Sequence, residues 1–316
     1  MKPAPDTCAG GFAHDLQRAL AERPHTISPK WFYDAEGSRL FDTICELPEY
    51  YPTRTETALL ARHAPEMAEA IGPDAELVEF GAGSLQKVRL LLPALRQPAG
   101  FLPVDISADH LQHSAAALRA AHPGLSVTPV GGDFTTELQL PPARGRRVGF
   151  FPGSSIGNFE PEHARALLAR WAAWLDGGLL IGVDLVKDPA VLHAAYNDRR
   201  GVTAAFNRHL LARANTELGA DFVLDDWAHC AFYQPAQQRV EMHLVARRDQ
   251  VVQLCGQRFS LEEGESLHTE NSCKYTVAGF QRLARAAGWR PEAVWLDARR
   301  WFAVHWLVPA PPGGPG

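Results

Sequence analysis

The chain has 316 residues, 46% of them apolar, and its 31 basic and 36 acidic residues leave a net charge of −5. A chain of this length and composition buries enough apolar surface to fold, which excludes an intrinsically disordered protein. No basic stripe is present, so we expect no nucleic-acid partner. There is no signal-peptide pattern and no run of about 18 apolar residues, so we predict a cytoplasmic protein that does not enter a membrane.

Metal-binding patterns are not visible in the sequence. The 13 histidines have no characteristic metal spacing, and no Cys-x-x-Cys pair supports a zinc cage or a thioredoxin-type site. The five cysteines are widely spaced, at Cys8, Cys45, Cys230, Cys255 and Cys273. We therefore expect no metal, and we expect reduced thiols, as in an ordinary cytoplasmic protein.

Strands and helices alternate from about residue 53 onward. Residues 53–56 resemble a capping box, which predicts the start of a helix that is kinked at Pro65. Short apolar runs predict strands at residues 76–80, 101–104, 127–130, 148–151 and 179–183. Between them, helices are predicted at 85–95, from Ser107 to Pro123, and at 161–176. This alternation predicts a parallel, doubly wound sheet.

The alternation is interrupted after residue 187. Residues 188–218 are predicted to be helical, and 239–245 and 250–254 to be strands of an antiparallel kind. A helix follows at 277–287, and a closing hairpin at 293–296 and 302–308. We interpret the chain as an α/β core at 56–187 and 277–310, interrupted by an α+β lobe at 188–276. The lobe is expected to be completed by residues 1–55, and residues 311–316 to form a flexible tail.

A glycine turn follows the first predicted strand. Gly81 and Gly83 expose backbone N–H groups and let a ligand approach the main chain closely, as in proteins that bind NAD or S-adenosylmethionine. Gln86 occupies the position where the NAD fingerprint has its third glycine. The sequence therefore favours S-adenosylmethionine over NAD at this turn.

The glycine turn, Asp105 and Asp133 stand in order at the ends of the first three predicted strands. Glu79 and Asp105 lie at strand ends where a carboxylate can accept hydrogen bonds from ribose hydroxyls. Asp133 follows the third strand, where an adenine amino group can be bound with Phe134 against the ring. Any one of these residues alone is typical of an ordinary turn or helix cap, and only their order indicates a cofactor site.

Four longer motifs resemble the signatures of the histidine Nα-methyltransferases. They are Trp31-Phe-Tyr-Asp-Ala-Glu-Gly-Ser38, Leu47-Pro-Glu-Tyr-Tyr-Pro-Thr-Arg-Thr-Glu56, Gly153-Ser-Ser-Ile-Gly-Asn-Phe159 and Thr269-Glu-Asn-Ser-Cys-Lys-Tyr275. The resemblance runs from about residue 28 to residue 307. It implies a class I, Rossmann-like methyltransferase core with an inserted substrate-binding lobe. It also implies an enzyme that uses S-adenosyl-L-methionine to convert L-histidine to its Nα-trimethyl derivative, hercynine, in ergothioneine biosynthesis.

The resemblance also implies two sets of site residues. The cofactor set is Gly81, Lys87, Asp105, Asp133 and Phe134. Tyr33 is implied near the reacting centre and is our candidate catalytic residue, although the sequence offers no obvious strong base. Lys87 would be read as an ordinary exposed helix lysine without the resemblance.

The implied substrate set is Tyr50, Asn158, Tyr196, Glu270 and Ser272. Asn158 and Tyr196 can donate to the carboxylate of histidine, while Glu270 and Ser272 can bind its imidazole nitrogens. The Glu-x-Ser spacing fits a strand, where residues i and i+2 face the same way. Further contributions are implied for Phe41, Gly153, Thr203 and Met242, and an aromatic face such as that of Phe41 attracts a quaternary ammonium group.

Three other functions stay open at this stage. A relative within the family would methylate another amine, such as thiolated histidine or a tryptophan derivative, although Glu270 and Ser272 favour an imidazole. A nicotinamide-dependent oxidoreductase is disfavoured by Gln86, and a non-catalytic binding protein by the intact Asp105, Asn158 and Glu270. We expect the only partner to be a small-molecule substrate, and the protein to be a monomer.

Overall fold

The computed structural model describes residues 10–136 and 138–311, without the side chain of Asp109. Within them the α-helices are α1 Gly11–Ala21, α2 Ala35–Cys45, α3 Tyr51–Ile71, α4 Val88–Leu91, α5 Ala108–Ala121, α6 Pro161–Ala172, α7 Pro189–Tyr196, α8 Val202–Leu218 and α9 Val277–Ala286. The strands are β1 Ala75–Phe80, β2 Gly100–Asp105, β3 Val130–Gly131, β4 Arg146–Phe151, β5 Gly178–Asp184, β6 Trp227–Gln234, β7 Arg239–Ala246, β8 Gln250–Leu254, β9 Gln257–Leu261, β10 Ser266–Cys273, β11 Trp289–Leu296 and β12 Phe302–Pro309.

The chain divides into two compact units. The first unit contains the residues up to Tyr50 together with Asp188–Ser272, and the second contains Tyr51–Lys187 together with the residues from Cys273 onward. Each unit is therefore assembled from separate stretches of chain, and the chain passes between the units after Tyr50, Lys187 and Ser272.

The second unit contains a seven-stranded sheet in the order β11-β12-β5-β4-β1-β2-β3. Strands β1 to β5 run parallel to one another, whereas β12 is antiparallel to both β5 and β11. The chain order reverses between β1 and β4, and ligands of open α/β sheets bind at the carboxyl ends of the strands at such a reversal. The predicted doubly wound, Rossmann-like α/β class is confirmed.

Both faces of this sheet are buried, which explains why its strands are nearly continuous apolar runs. Leu77 and Phe101 belong to a core cluster that includes residues of α3, α4 and α5. Val78 and Leu102, the next residues along the same strands, belong to a second cluster with residues of α6 and α9. Successive side chains of a strand point to opposite faces, so one apolar run supplies both cores.

The first unit is α+β. Its three-stranded sheet has the order β10-β7-β6, and β8 and β9 form a separate hairpin. Along β7 the residues alternate between partly exposed and buried, as expected for a sheet with one covered face. Helices α7 and α8 pack against β6, and α2 packs against α8.

Several local predictions differ from the structure. Helix α3 begins at Tyr51, not at a cap formed by Thr53, and Glu56 is a buried residue inside the helix, so the capping box is wrong. Pro65 lies within α3, which continues to Ile71. The predicted helix at 85–95 is reduced to α4 and a short 3₁₀ turn, and β3 has only two residues.

The cysteines differ in bonding state. Cys45, Cys230 and Cys273 are free, but Cys255 is disulfide-bonded, so the expectation of reduced thiols is wrong at that position. Among the described residues, no helix is long and apolar enough to cross a membrane.

Candidate active site

The glycine turn after β1 is joined to the end of β2. Gly81 and Gly83 have φ angles of 66° and 51°, in the left-handed region that favours glycine. The Gly83 N–H donates to Asp105 Oδ2 at 3.0 Å, and the Ser107 N–H donates to Asp105 Oδ1 at 2.9 Å. The structure therefore holds the Asp105 carboxylate in one orientation beside the turn.

Glu79, near the end of β1, supplies a buried carboxylate with an unsatisfied atom. Among the described residues, its Oε2 has no hydrogen-bond partner. Burial raises the pKa of Glu79 well above its usual value, Lys87 opposes this, and the carboxylates of Glu56 and Asp105 add to it. A buried acceptor without a partner is costly, and a ligand with N–H or O–H donors would satisfy it. This group fits a nucleoside cofactor such as S-adenosylmethionine at the turn.

Asp133 and Phe134 form the next part of the same region. The Asp133 carboxylate accepts hydrogen bonds from the N–H and hydroxyl groups of Thr135. The Phe134 ring packs edge-on against Phe151 at a centroid distance of 5.5 Å. A Cβ atom on Gly81 would lie 3.5 Å from the Phe134 ring, so this ring lies directly against the glycine turn.

Lys87 is held by a buried carboxylate that the sequence did not identify. Its Nζ lies 2.6 Å from Glu56 Oε2, and Glu56 is only 1% exposed. The Gly153 N–H donates to both Glu56 oxygens, at 3.0 and 2.8 Å. Gly153 has a φ angle of 85°, and a Cβ there would lie 3.2 Å from Lys87 Nζ. Glu56 therefore joins α3 to the segment before α4 and to the loop after β4.

Asn158 ends a 3₁₀ turn, Ser155–Asn158, that follows β4 at the carboxyl edge of the sheet. The turn is fixed at its start, because the Asp184 N–H donates to Ser154 Oγ at 2.8 Å. Asn158 is partly exposed there, at the edge where the sequence predicted it.

A second buried ionic cluster lies at the end of β5. Tyr51 donates to Asp184 Oδ2 at 2.7 Å, Lys187 Nζ lies 2.6 Å from Oδ1, and Lys274 Nζ lies 2.8 Å from Oδ2. Burial acts to raise the pKa of Asp184, but Lys274 and Lys187 outweigh it and the pKa is lowered. Burial lowers the pKa of Lys187 to about 8. The chain changes from one unit to the other after Tyr50, Lys187 and Ser272. The cluster residues Tyr51, Lys187 and Lys274 therefore each lie within two residues of such a change.

In the first unit, aromatic rings bring several predicted substrate residues together. Phe41 lies edge-on to Tyr33 and Tyr50, with centroid distances of 5.7 and 6.2 Å. Tyr50 in turn lies 6.4 Å from Tyr196. Phe206 of α8, which the sequence did not indicate, packs against Tyr33 and Phe41 at 5.8 and 6.0 Å.

Polar groups complete this cluster. The Tyr196 hydroxyl donates to Ser272 Oγ at 2.7 Å, and both residues are buried. Burial raises the pKa of Tyr50 well above its usual value, and Tyr196, Cys45, Tyr33 and Glu270 add to that effect. The Tyr50 hydroxyl is therefore a neutral donor at ordinary pH. The resemblance implied that Tyr196 donates to a carboxylate, which would require its hydroxyl hydrogen to turn away from Ser272.

A chain of polar side chains reaches the backbone carbonyl of Tyr196, and two of its members, Thr269 and Asn207, are buried. Thr269 Oγ1 donates to Asn207 Oδ1 at 2.7 Å, and the Asn207 amide donates to His229 Nδ1 at 2.9 Å. His229 Nε2 therefore carries the ring hydrogen, which it donates to the Tyr196 carbonyl at 2.9 Å. Burial lowers the pKa of His229 and keeps the ring neutral. This network could not be predicted from the sequence, because its members are far apart in the chain.

Thr203 and Met242, for which the resemblance implied further contributions, are both buried. Thr203, near the start of α8, is buried, and its N–H donates to Asp198 Oδ1 at 2.8 Å. Met242 is buried on β7, and its carbonyl accepts a hydrogen bond from Thr269 Oγ1.

The doubly wound sheet and the glycine turn after its first strand define a Rossmann-like α/β protein. The family model for histidine-specific, S-adenosylmethionine-dependent methyltransferases matches residues 12–309. The chain is 42% identical over 312 residues to the histidine N-alpha-methyltransferase of Mycolicibacterium smegmatis, covering 96% of this chain and 97% of that protein. The chain therefore belongs to the histidine-specific, S-adenosylmethionine-dependent methyltransferases.

Other known proteins are similar over much of the chain. The histidine N-alpha-methyltransferase of Mycobacterium tuberculosis is 41% identical over 290 residues, with 90% of each chain covered. Ergothioneine biosynthesis protein 1 of Neurospora crassa is 32% identical over 310 residues, which are 90% of this chain and 33% of that protein. A solved methyltransferase structure from Clostridium acetobutylicum is 10% identical, with a TM-score of 0.46, covering 96% of this chain and all (100%) of that one.

Proposed function

We propose that this protein transfers three methyl groups from S-adenosylmethionine to the α-nitrogen of L-histidine and forms hercynine for ergothioneine biosynthesis. The observation that carries the proposal is the buried Tyr196–Ser272 pair beside the Tyr50 ring in the first unit. The family and the two mycobacterial relatives support the same substrate.

The imidazole of histidine is the part of the substrate that this cluster recognises. The Glu270 carboxylate is assigned to accept from the imidazole N–H, and the Ser272 hydroxyl to bind the second ring nitrogen. A hydroxyl can accept one hydrogen bond and donate another, so its contact with Tyr196 is compatible with this role. The neutral Tyr50 hydroxyl supplies a further donor. A site built from such buried polar groups discriminates strongly against an analogue that lacks the matching groups.

The carboxylate of histidine requires a hydrogen-bond donor, and the α-nitrogen requires space for the methyl groups. Asn158 is assigned to the carboxylate, to which its side-chain amide can donate. Tyr33 and Phe41 are assigned to the methylated nitrogen, because aromatic faces attract quaternary ammonium. Gly81, Lys87, Asp105, Asp133 and Phe134 are assigned to the cofactor.

Bound S-adenosylmethionine supplies an electrophilic methyl group and a neutral leaving thioether. The protein's task is therefore to position the amine, and correct positioning supplies much of the rate. An α-amino group titrates near a pKa of about 8, so a fraction is already neutral at working pH, and desolvation increases that fraction. No side chain needs to act as a strong base.

Competition between substrates tests this proposal. The purified protein is incubated with S-adenosylmethionine and equal concentrations of L-histidine, thiolated histidine and a prenylated tryptophan, and the products are separated by mass spectrometry. We expect histidine to be methylated fastest. If thiolated histidine or the prenylated tryptophan is methylated faster, that amine and not histidine is the preferred substrate.

Asn158→Ala tests the assignment of the carboxylate. We expect the KM for histidine to rise while the affinity for S-adenosylmethionine stays the same, because Asn158 is assigned only to the amino acid. Unchanged activity and unchanged affinity for histidine would remove Asn158 from the site. We also propose that the protein acts as a cytoplasmic monomer, whose mass in solution light scattering measures directly.

A further inference from the structure

We propose that Asn207 and His229 are positioning residues for the histidine site of the first unit, where they hold Tyr196 against Ser272. This role rests on the proposed function, which assigns histidine to the Tyr196–Ser272 pair. Asn207 and His229 are not assigned to touch the substrate. They act on the site through the backbone carbonyl of Tyr196 and through strand β10.

His229 holds the end of helix α7. Tyr196 is the last residue of α7, and the carbonyl groups of a last helical turn lack partners within their own helix. His229, on β6, donates to the Tyr196 carbonyl through Nε2 at 2.9 Å. The hydroxyl of the same tyrosine donates to Ser272 Oγ at 2.7 Å. A shift of the helix end would move this hydroxyl relative to Ser272, and the bond from His229 opposes such a shift.

Asn207 determines which ring nitrogen of His229 carries the hydrogen. The Asn207 side-chain nitrogen lies 3.0 Å from the His243 carbonyl and 2.9 Å from His229 Nδ1. The side-chain oxygen accepts from Thr269 at 2.7 Å. Because a carbonyl can only accept, the amide nitrogen must be the atom that faces His243 and also donates to His229 Nδ1. The hydrogen of the neutral ring is therefore on Nε2, where it is donated to Tyr196.

The hydrogen-bonded side chains and strand β10 form a closed ring. Its members, in order, are Asn207, His229, Tyr196, Ser272 and Thr269. Thr269 and Ser272 both lie on β10, with Glu270 between them. The ring therefore fixes the strand segment that carries the residues assigned to the imidazole, as well as the helix end that carries Tyr196.

Packing alone does not explain an amide at the centre of this ring. Asn207 and Thr269 are both 0% exposed. Burying a polar group is costly unless it is hydrogen-bonded, and an apolar side chain of similar size fills the same space without that cost. A fully bonded polar network instead makes the buried region rigid and specifies one arrangement. Rigid placement of Tyr196 is what recognition of one ring by a few polar groups requires.

Calorimetric titration with L-histidine, in the presence of S-adenosylhomocysteine, tests this role. His229→Phe keeps a ring of similar size but has no hydrogen to donate to Tyr196. We expect the Kd for L-histidine to rise about 3- to 10-fold, as for the loss of a neutral hydrogen bond, while the Kd for S-adenosylhomocysteine stays unchanged. His229→Gln, whose amide N–H can replace the Nε2 donor, should bind L-histidine within about 2-fold of the wild type. His163→Phe, at an exposed position of α6, is the matched control.

A double-variant cycle separates positioning from a general loss of structure. Asn207→Leu alone should weaken L-histidine binding by a similar factor of about 3 to 10. Combined with His229→Phe it should add little more, because both substitutions break the same ring. Circular dichroism checks that each variant is folded. If Asn207→Leu does not fold, the comparison of His229→Phe with His229→Gln still decides the question.

Three results would overturn the proposal. The first is wild-type affinity for L-histidine in folded His229→Phe, and the second is no recovery of affinity in His229→Gln. The third is an equal loss of affinity for L-histidine and S-adenosylhomocysteine, which would show a merely structural role. Wild-type protein that neither binds nor methylates L-histidine would overturn the proposed function, and the positioning role with it.

Discussion

The ammonium group of Lys87 lies 2.6 Å from the carboxylate of Glu56, a residue that is 1% exposed. This ion pair joins α3 to the segment that leads from the glycine turn into α4. Glu56 also accepts the Gly153 N–H, so one buried carboxylate holds two of the residues assigned to the site. The last glutamate of the motif at residues 47–56 is thus a positioning residue rather than a helix cap.

Lys87→Met should weaken binding of the cofactor. A hydrogen bond from a charged group contributes about 1.5–3 kcal/mol, so the Kd for S-adenosylmethionine should rise by about 10- to 100-fold, with a smaller change in the KM for histidine. Isothermal titration with S-adenosylmethionine measures the effect. Arg89→Met, two residues further along α4, is the control and should leave the Kd unchanged. If both variants bind the cofactor like the wild type, Lys87 has no role in the cofactor site.

Ser272→Ala should weaken the binding of histidine and leave the binding of the cofactor unchanged. The substitution removes a neutral hydroxyl that the Tyr196 hydroxyl contacts at 2.7 Å. A neutral hydrogen bond contributes about 0.5–1.5 kcal/mol, so the KM for histidine should rise about 3- to 10-fold. Steady-state kinetics with each substrate varied in turn separates the two effects. Ser260→Ala, at an exposed position on β9, provides the control. An equal rise in the KM of both substrates would indicate general distortion instead.

Asp184→Asn should destabilise the fold strongly. The substitution leaves the buried ammonium groups of Lys187 and Lys274 without their common carboxylate. Removing one partner of a buried ion pair costs about 3–5 kcal/mol, and this should be visible in urea unfolding. Glu162→Gln, which breaks an exposed pair with Arg165, should cost less than about 1 kcal/mol. Similar losses in the two variants would show that the Asp184 cluster contributes no more than a surface pair.

His305 should make the fold sensitive to acid. It is fully buried on β12, and neither ring nitrogen has a hydrogen-bond partner among the described residues. Burial lowers its pKa to about 4, whereas the unfolded chain has a pKa near 6.5. The contribution of His305 to the free energy of unfolding is therefore fully present above pH 6.5. Between pH 6.5 and 4 only the unfolded chain takes up a proton at this residue, so the contribution decreases and is lost as the pH falls through 4. The loss amounts to about 3 kcal/mol.

The test is the pH dependence of unfolding in His305→Leu. The apolar side chain has no proton to bind, so its free energy of unfolding should fall less than that of the wild type between pH 6.5 and 4. At neutral pH the variant should be about as stable, because it also removes two unsatisfied polar atoms. Parallel pH profiles for the two proteins would show that His305 does not cause the acid sensitivity.

Much of the fold could be predicted because the hydrophobic pattern is local. Strand β1 is buried along its whole length, and apolar runs with glycine ends mark the other long parallel strands. The sequence did not predict strand β6, because it contains polar residues such as His229 on a partly covered face. The capping-box motif at 53–56 was misread because burial of Glu56 depends on Lys87 and Gly153, which lie elsewhere in the chain.

The same distinction between local and distant signals applies to the residues of the candidate site. The placement of Gly81, Asp105 and Asp133 at the ends of successive strands could be predicted, because each stands at the end of a short apolar run. Asn207 and Asp184 could not, because their roles come from partners distant in sequence: Asn207 joins Thr269 to His229, and Asp184 binds Tyr51, Lys187 and Lys274. Side-chain networks of this kind leave no periodic pattern in a sequence.

The number and position of the methyl groups added to L-histidine test the account most directly. The protein is incubated with L-histidine and S-adenosylmethionine carrying a ¹³C-labelled methyl group, and the product is analysed by mass spectrometry and NMR. We predict a product with three labelled methyl groups on the α-nitrogen and an unmodified imidazole ring. Histidine recovered without label, or label on a ring nitrogen, would contradict the account.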